Sequence, residues 1–188
     1  MSTPTVTRGP WTSADLELFS ENGVRHEIVD GELFMSKMPH FRHQETCGNI
    51  YLELKIWART RGTGRVSVNP GVLFSEADDV VPDVAWISNE RLDALMDEAG
   101  HLTGAPELVV EVLSPGAQQE KRDRQFKRKL YEIQGVREYW IADWRLRQVE
   151  VYRREQSELR LIATLLVEDT LTSPLLPDFS CPIERFFT

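Results

Sequence analysis

Cysteine is scarce in this chain. Only Cys47 and Cys181 occur in 188 residues, far apart and without metal-ligand spacing, and the four histidines are scattered. A disulfide-stapled scaffold and a zinc site built on paired cysteines are therefore not expected, and the thiols read as structural ones in a reduced, cytoplasmic protein. Long apolar runs are also missing; none approaches the ~20 residues needed to span a bilayer, so no membrane is expected as a partner. The opening MSTPTVTRGPW lacks the apolar core of a signal peptide. Basic charge is in deficit, with 22 Lys and Arg against 30 Asp and Glu and a net charge of −8. A protein that coats nucleic acid nonspecifically is thereby disfavoured, although an enzyme with one local basic patch is not. Repeats and low-complexity linkers are absent, and 188 residues with 41% hydrophobic content suit one domain. Residues 1–10 read as a flexible lead-in and residues 11–188 as the domain.

What is present concentrates between residues 106 and 131, PELVVEVLSPG followed by AQQEKRDRQFKRKLY. Residues 108–113 form a nearly unbroken apolar run, bounded by Pro106 and by Ser114-Pro115-Gly116. A strand buried on both faces reads this way. Glu111 sits in its middle, where an ionised carboxylate needs a cation, hydrogen bonds or a raised pKa. The run VVPDVAWIS repeats the situation, with Asp83 beside Pro82. Two acids on two apolar strands, followed by a lysine-rich helix, suggest a metal site that handles phosphate. Hard oxygen ligands suit Mg²⁺ or Mn²⁺, and a nearby lysine can orient water or oppose developing charge.

The remaining chain supplies one α/β domain with a mixed sheet. A short helix is expected from Thr12 or Ser13, with Asp15 and Glu17 in its first turn. VRHEIVDGELFMS predicts a hairpin around Asp30-Gly31, in which Asp30 and Glu32 face solvent and Glu27 faces away from Ile28. Residues 43–60 predict a helix carrying His43 in its first turn, either as a capping or surface residue or as a site member. RVSVNPGVLFS reads as an interrupted strand. SNERLDALMDEAG reads as a helix turning Leu92, Leu95 and Met96 inward. Strands are expected at REYWIAD, RQVEVYRR and LRLIATLLV, with a closing tail, LTSPLLPDFSCPIERFF. Trp86, Trp140 and Trp144 read as core.

Between them, residues 120–131 carry six basic side chains against Glu120 and Asp123. Asp123, Lys127 and Tyr131 follow one another at i, i+4 and i+8, on one face of a helix. That spacing alone is equally a surface ion pair, about 0.2–0.5 kcal/mol, beside a packed tyrosine. Arg122, Arg124, Arg128 and Lys129 are either a solvated face or contacts to a nucleic-acid backbone, which would carry no sequence information.

Four segments, RHEIVDGEL, VVPDVAWIS, APELVVEVLSP and DRQFKRKLYEIQGVREYWIAD running into RQVEVYR, resemble the Uma-two family of bacterial endonucleases. The LTSPLLP tail resembles it too, so the likeness runs from about Trp11 to Phe187. The resemblance implies a restriction-endonuclease-like α/β fold, a mixed central sheet flanked by helices, in the PD-(D/E)XK superfamily. It implies Asp83 and Glu111 as metal ligands, with the backbone carbonyl of Val112 as a third. The superfamily lysine, two residues after the glutamate, is replaced here by Leu113, and the family pattern moves it to Lys127 on the next helix. Glu27 matches a family acid; His43 is a weaker match. The function so implied is Mg²⁺- or Mn²⁺-dependent hydrolysis of DNA phosphodiesters, with one or two ions per site. A homodimer would let two sites act on two strands. The alternative is a nuclease-fold module that binds nucleic acid, or regulates, without catalysis.

Overall fold

Side-chain alternation along two buried strands decides how this molecule is layered. A computed structural model describes residues 10–16, 18–19, 24–36 and 38–188. Within it every residue of Leu108–Val112 and of Glu138–Asp143 is buried. Leu108, Val110, Val112, Trp140 and Ala142 enter one apolar core, whereas Val109, Leu113, Tyr139 and Ile141 enter a second on the opposite face. A strand with both faces covered must be apolar on both, which is why these runs do not alternate.

The strands are β1 (Arg25–Val29), β2 (Glu32–Ser36), β3 (Gly64–Val68), β4 (Val72–Ser75), β5 (Asp78–Val80), β6 (Val84–Ser88), β7 (Leu108–Val112), β8 (Glu138–Asp143), β9 (Gln148–Glu155), β10 (Glu158–Leu165), β11 (Thr170–Ser173) and β12 (Leu176–Pro182). Six of them form the central sheet in the order β10-β9-β8-β7-β6-β3. β7 and β8 run parallel and the other neighbours antiparallel, so the sheet is mixed. A parallel pair needs a crossover. Here it is one helix in three parts: α4 (Ala117–Lys121), a π-helical turn (Arg122–Lys127) and α5 (Arg128–Ile133).

On the other face lies α2 (Phe41–Arg61), whose stripe of Cys47, Ile50, Leu54, Trp57 and Ala58 enters the first core. Gly62 ends α2 in the left-handed conformation at φ 67°, its amide bonded to the Ala58 carbonyl, as a C′ glycine does. The tail closes that same core with Leu171, Leu176, Phe179, Ile183 and Phe186. Each fully buried apolar side chain of this kind contributes about 1.5–3 kcal/mol.

A second sheet, β2-β1-β5-β4, covers part of the helix side. Its hairpin turns at Asp30 (φ 52°) and Gly31 (φ 71°), the conformation a tight right-twisted hairpin requires. Asp30 and Glu32 are exposed there. Residues 65–75 serve two sheets, because Asn69 at φ 49° breaks the run between β3 and β4.

Other expectations hold with adjustments. α1 spans Ser13–Leu16, and the Thr12 amide and hydroxyl both donate to Asp15; Glu17 lies outside the described residues. α3 (Asn89–Leu95) is capped by Ser88 and stops before Met96, which is 54% exposed and does not face inward. Trp86 and Trp140 are buried, and the partly buried Trp144 donates to the Leu113 carbonyl.

Candidate active site

Glu111 shares its side of β7 with Val109 and Leu113, so it faces the crossover helix and must find its partners there. Two side chains supply them. Lys127 Nζ lies 2.9 Å from Glu111 Oε1, and the Tyr131 hydroxyl donates to the same oxygen at 2.9 Å. Lys127 is fully buried and also touches Glu27 Oε1, at 2.6 Å. It therefore bridges a carboxylate of the central sheet and one of the second sheet.

The π-helical turn makes this convergence. Its wider turn brings residues five apart into line, a feature that recurs at functional sites. Arg122 and Lys127 are five apart, and both reach Glu27: Arg122 Nη1 lies 3.4 Å from Oε2. Asp123 turns back onto Arg122 Nε at 2.8 Å. Its backbone carbonyl accepts a hydrogen bond from Tyr139. Strand alternation places Glu27, because Arg25 and Glu27 point to the same side of β1. The Val81 amide donates to Glu27 Oε1 at 2.8 Å, while Oε2 is buried without a hydrogen bond.

Asp83 precedes β6, beside the C-terminal half of β7. Its Oδ1 accepts from Arg25 Nη1 at 3.0 Å, its Oδ2 from the Val112 amide at 2.9 Å, and His43 Nε2 lies 3.5 Å away. His43 Nδ1 in turn lies 3.5 Å from Cys47 Sγ, one helical turn along α2. These residues gather over central strands, not along a sheet edge.

Acids outnumber the permanent cations in this cluster. Four buried carboxylates, Glu27, Asp83, Glu111 and Asp123, face Arg25, Arg122 and Lys127, with His43 beside Asp83. Burial pushes Asp83 up, but His43 and Arg25 outweigh it and hold that carboxyl below its ordinary range. Lys127 and Arg122 likewise outweigh burial at Glu27 and lower it. The surplus falls on Glu111: burial, then the charges of Asp83, Asp123 and Glu27, push it up to about 8 against the pull of Lys127. Asp123 is also raised, chiefly by burial. Burial and the charges of Asp83 and Glu111 raise the Cys47 thiol as well.

Of the residues singled out by sequence, Glu27, His43, Asp83, Glu111, Asp123, Lys127 and Tyr131 come together. Val112 contributes its amide to Asp83. The basic set divides. Arg122 is buried in the acid cluster and is not on a solvated face, because the π turn rotates it inward. Arg124 pairs with Glu150, and Arg128 lies over the Tyr152 ring while bonding the Arg124 carbonyl. Lys129 is exposed. Asp123 and Lys127 are not a surface pair; both are buried. Arg25 and Cys47 are the additions. Arg25 was findable as the residue two before Glu27, and Cys47 as the one four after His43.

The family model for Uma2, described as "Putative restriction endonuclease", matches residues 13–184. The chain belongs to this family. Among solved structures, the fold of this Uma2 chain is similar to that of a protein titled "putative nuclease belonging to DUF820 from Anabaena variabilis ATCC 29413". The two share a TM-score of 0.75 at 18% identity, over 95% of this chain and 98% of that one. No curated protein matches the sequence. No helix among the described residues is long and apolar enough to cross a membrane.

The acid cluster of the Uma2 chain has features that suit a divalent ion. Glu27, Asp83 and Glu111 offer carboxylate oxygens, the donor type preferred by Mg²⁺ and Mn²⁺, and each is in contact with Lys127 or Arg25. One of these oxygens, Glu27 Oε2, is buried without a hydrogen bond, and the pocket carries an acid pushed up to about 8. Both features fit a hard cation. His43, Cys47 and Asp83 also lie within 4.8 Å of one another by their ligand atoms. That trio suits a soft ion less well, since burial, and then the neighbouring acids, hold its sulfur as a thiol.

Proposed function

We propose that this protein is a metal-dependent endonuclease that hydrolyses DNA phosphodiesters. The observation that carries the reading is the surplus acid beside Lys127: a buried carboxylate pushed up to about 8 within contact of a buried ammonium. Groups perturbed by burial and by specific charge partners, in a cluster drawn from separate elements, are candidates for a functional site. Membership of a family described as "Putative restriction endonuclease" supports the same reading.

Asp83, Glu111 and the Val112 carbonyl, with Glu27 beside them, would hold Mg²⁺ or Mn²⁺. When bound, such an ion neutralises phosphate charge and makes its water more acidic. Tyr131 fixes the Glu111 carboxylate by donating to Oε1. Lys127 would orient the attacking water and oppose the negative charge gathering on the phosphoryl oxygens. The water oxygen forms a bond to phosphorus as it gives up a proton to solvent, the bond to the leaving sugar oxygen breaks, and that oxygen takes up a proton from solvent. Lys129, exposed on the same helix, would meet the DNA backbone.

One observation favours a second reading, a nuclease-fold module without catalysis. Arg25 Nη1 already occupies Asp83 Oδ1 at 3.0 Å, and a permanent guanidinium there could replace the ion. Cleavage of supercoiled and linear plasmid with Mg²⁺ or Mn²⁺ separates the two. Cutting that Asp83→Ala and Lys127→Ala both abolish establishes the nuclease. Wild-type protein that neither cuts nor gains thermal stability from metal establishes the silent module.

A further inference from the structure

At the end of the sheet where β8 begins, charge gathers again with the opposite sign. A cavity of about 240 Å³ is lined by Arg137, Glu138, Arg153, Arg154, Pro174 and Leu175. Parallel pairing sets Leu108 against Glu138 and Glu111 against Ile141. The cavity is therefore three strand positions from Glu111, about 10 Å along the sheet. Glu138 shares its side of β8 with Trp140 and Ala142, in the first core, so this carboxylate faces away from the acid cluster.

Three guanidinium groups meet one carboxylate here, and that carboxylate is engaged. Glu138 accepts from Trp140 Nε1 at 2.8 Å and from the Ser173 hydroxyl at 2.6 Å, with Arg153 Nε at 3.5 Å. Arg154 is spent on carbonyls, those of Val136 at 2.8 Å, Ser157 at 2.9 Å and Glu132. These bonds fix its position without cancelling its charge. Arg137 is exposed, and among the described residues its side chain makes no hydrogen bond or ion pair. Arg153 Nη2 donates to the Thr172 carbonyl at 2.6 Å, and its Nε, buried without a hydrogen bond, faces Glu138. The charges of Arg137 and Arg154 thus lack a carboxylate partner, in a chain whose net charge is −8.

We infer that this cavity binds a phosphate dianion, either free or as the monoester at the end of a nucleic-acid strand. Guanidinium forks match tetrahedral oxyanions in geometry, and two unpaired charges match a dianion in number. The volume falls below the ~300 Å³ at which pockets for drug-sized ligands begin, which suits a phosphate group. Pro174 and Leu175 form an apolar wall on one side. The inference does not depend on the nuclease reading.

Calorimetric titration of the full chain with inorganic phosphate, at constant ionic strength, tests it. Wild type should bind one phosphate. Arg137→Ala, at a side chain that supports nothing else, should weaken binding about tenfold or more, and Arg137→Lys should fall between them. Oligonucleotides with and without a 5′-phosphate then identify the source. A preference for the phosphorylated strand that Arg137→Ala removes assigns the strand end. Equal binding of both strands, with phosphate binding retained, assigns the free ion. Absence of phosphate binding by wild type, or affinity unchanged in Arg137→Ala, overturns the proposal.

Discussion

Glu111 and Glu138 lie on neighbouring parallel strands and are equally buried, each 1% exposed, yet they live in opposite circumstances. Glu138 is closed off by an indole N–H, a serine hydroxyl and Arg153. It is a structural acid whose partners were built around it. Glu111 shares its pocket with three further carboxylates and is pushed up to about 8. A buried acid therefore marks nothing by itself. The sign of the charge left over around it distinguishes a strut from a site.

Substitution should separate the two acids sharply. On the nuclease reading, Asp83→Ala or Glu111→Ala should lower plasmid cleavage about 10²–10³-fold or more, measured at saturating metal. Undiminished cutting would remove both from the site. Lys127→Met should strand the acids around a neutral thioether and cost about 3–5 kcal/mol of stability, read from urea unfolding without metal.

Stability against pH sharpens the contrast. Glu111 rises from its ordinary 4.5 to about 8 on folding, so the folded chain binds that proton more tightly than the unfolded one. Its stabilising contribution is complete below about 4.5 and drains away as pH climbs to about 8. Metal-free wild type should melt at progressively lower temperature across that window. Glu111→Gln should flatten the trend, with Asp123, also raised, supplying a residual slope. A melting temperature that climbs across the window would contradict the charge surplus. Glu138→Gln should cost only about 1–2 kcal/mol and leave cleavage intact; loss of cleavage would make Glu138 more than a strut. The smallest effect belongs to Lys129→Ala, which should reduce the salt dependence of DNA binding by about one charge; an unchanged salt slope would place the backbone contact elsewhere.

Much of this arrangement was legible in the residues. Asp83 and Glu111 stood out because a carboxylate inside an apolar strand is costly anywhere. The hairpin was legible because Asp30-Gly31 supplies the left-handed backbone its turn needs. The crossover helix was legible as a helix, but its π turn was not. No local sequence rule distinguishes an i+5 from an i+4 hydrogen bond, and that one difference carries Arg122 from the surface into contact with Glu27. The inward Met96 failed for a different reason: helical spacing continues past Leu95, but the backbone does not. Arg25 on Asp83 joins residues 58 apart in sequence, a contact that only the packing of the two sheets could create.

The most direct test is a Mn²⁺ titration at pH 7, followed by calorimetry in two buffers of different ionisation enthalpy. If the surplus acid is a ligand, binding must displace its proton. Wild type and Glu138→Gln should bind the ion and release about one proton per site at this pH, and Glu111→Gln should lose both binding and release. Failure of wild type to bind the ion, or binding that survives unchanged in Glu111→Gln, would contradict the assignment of this cluster as a metal site.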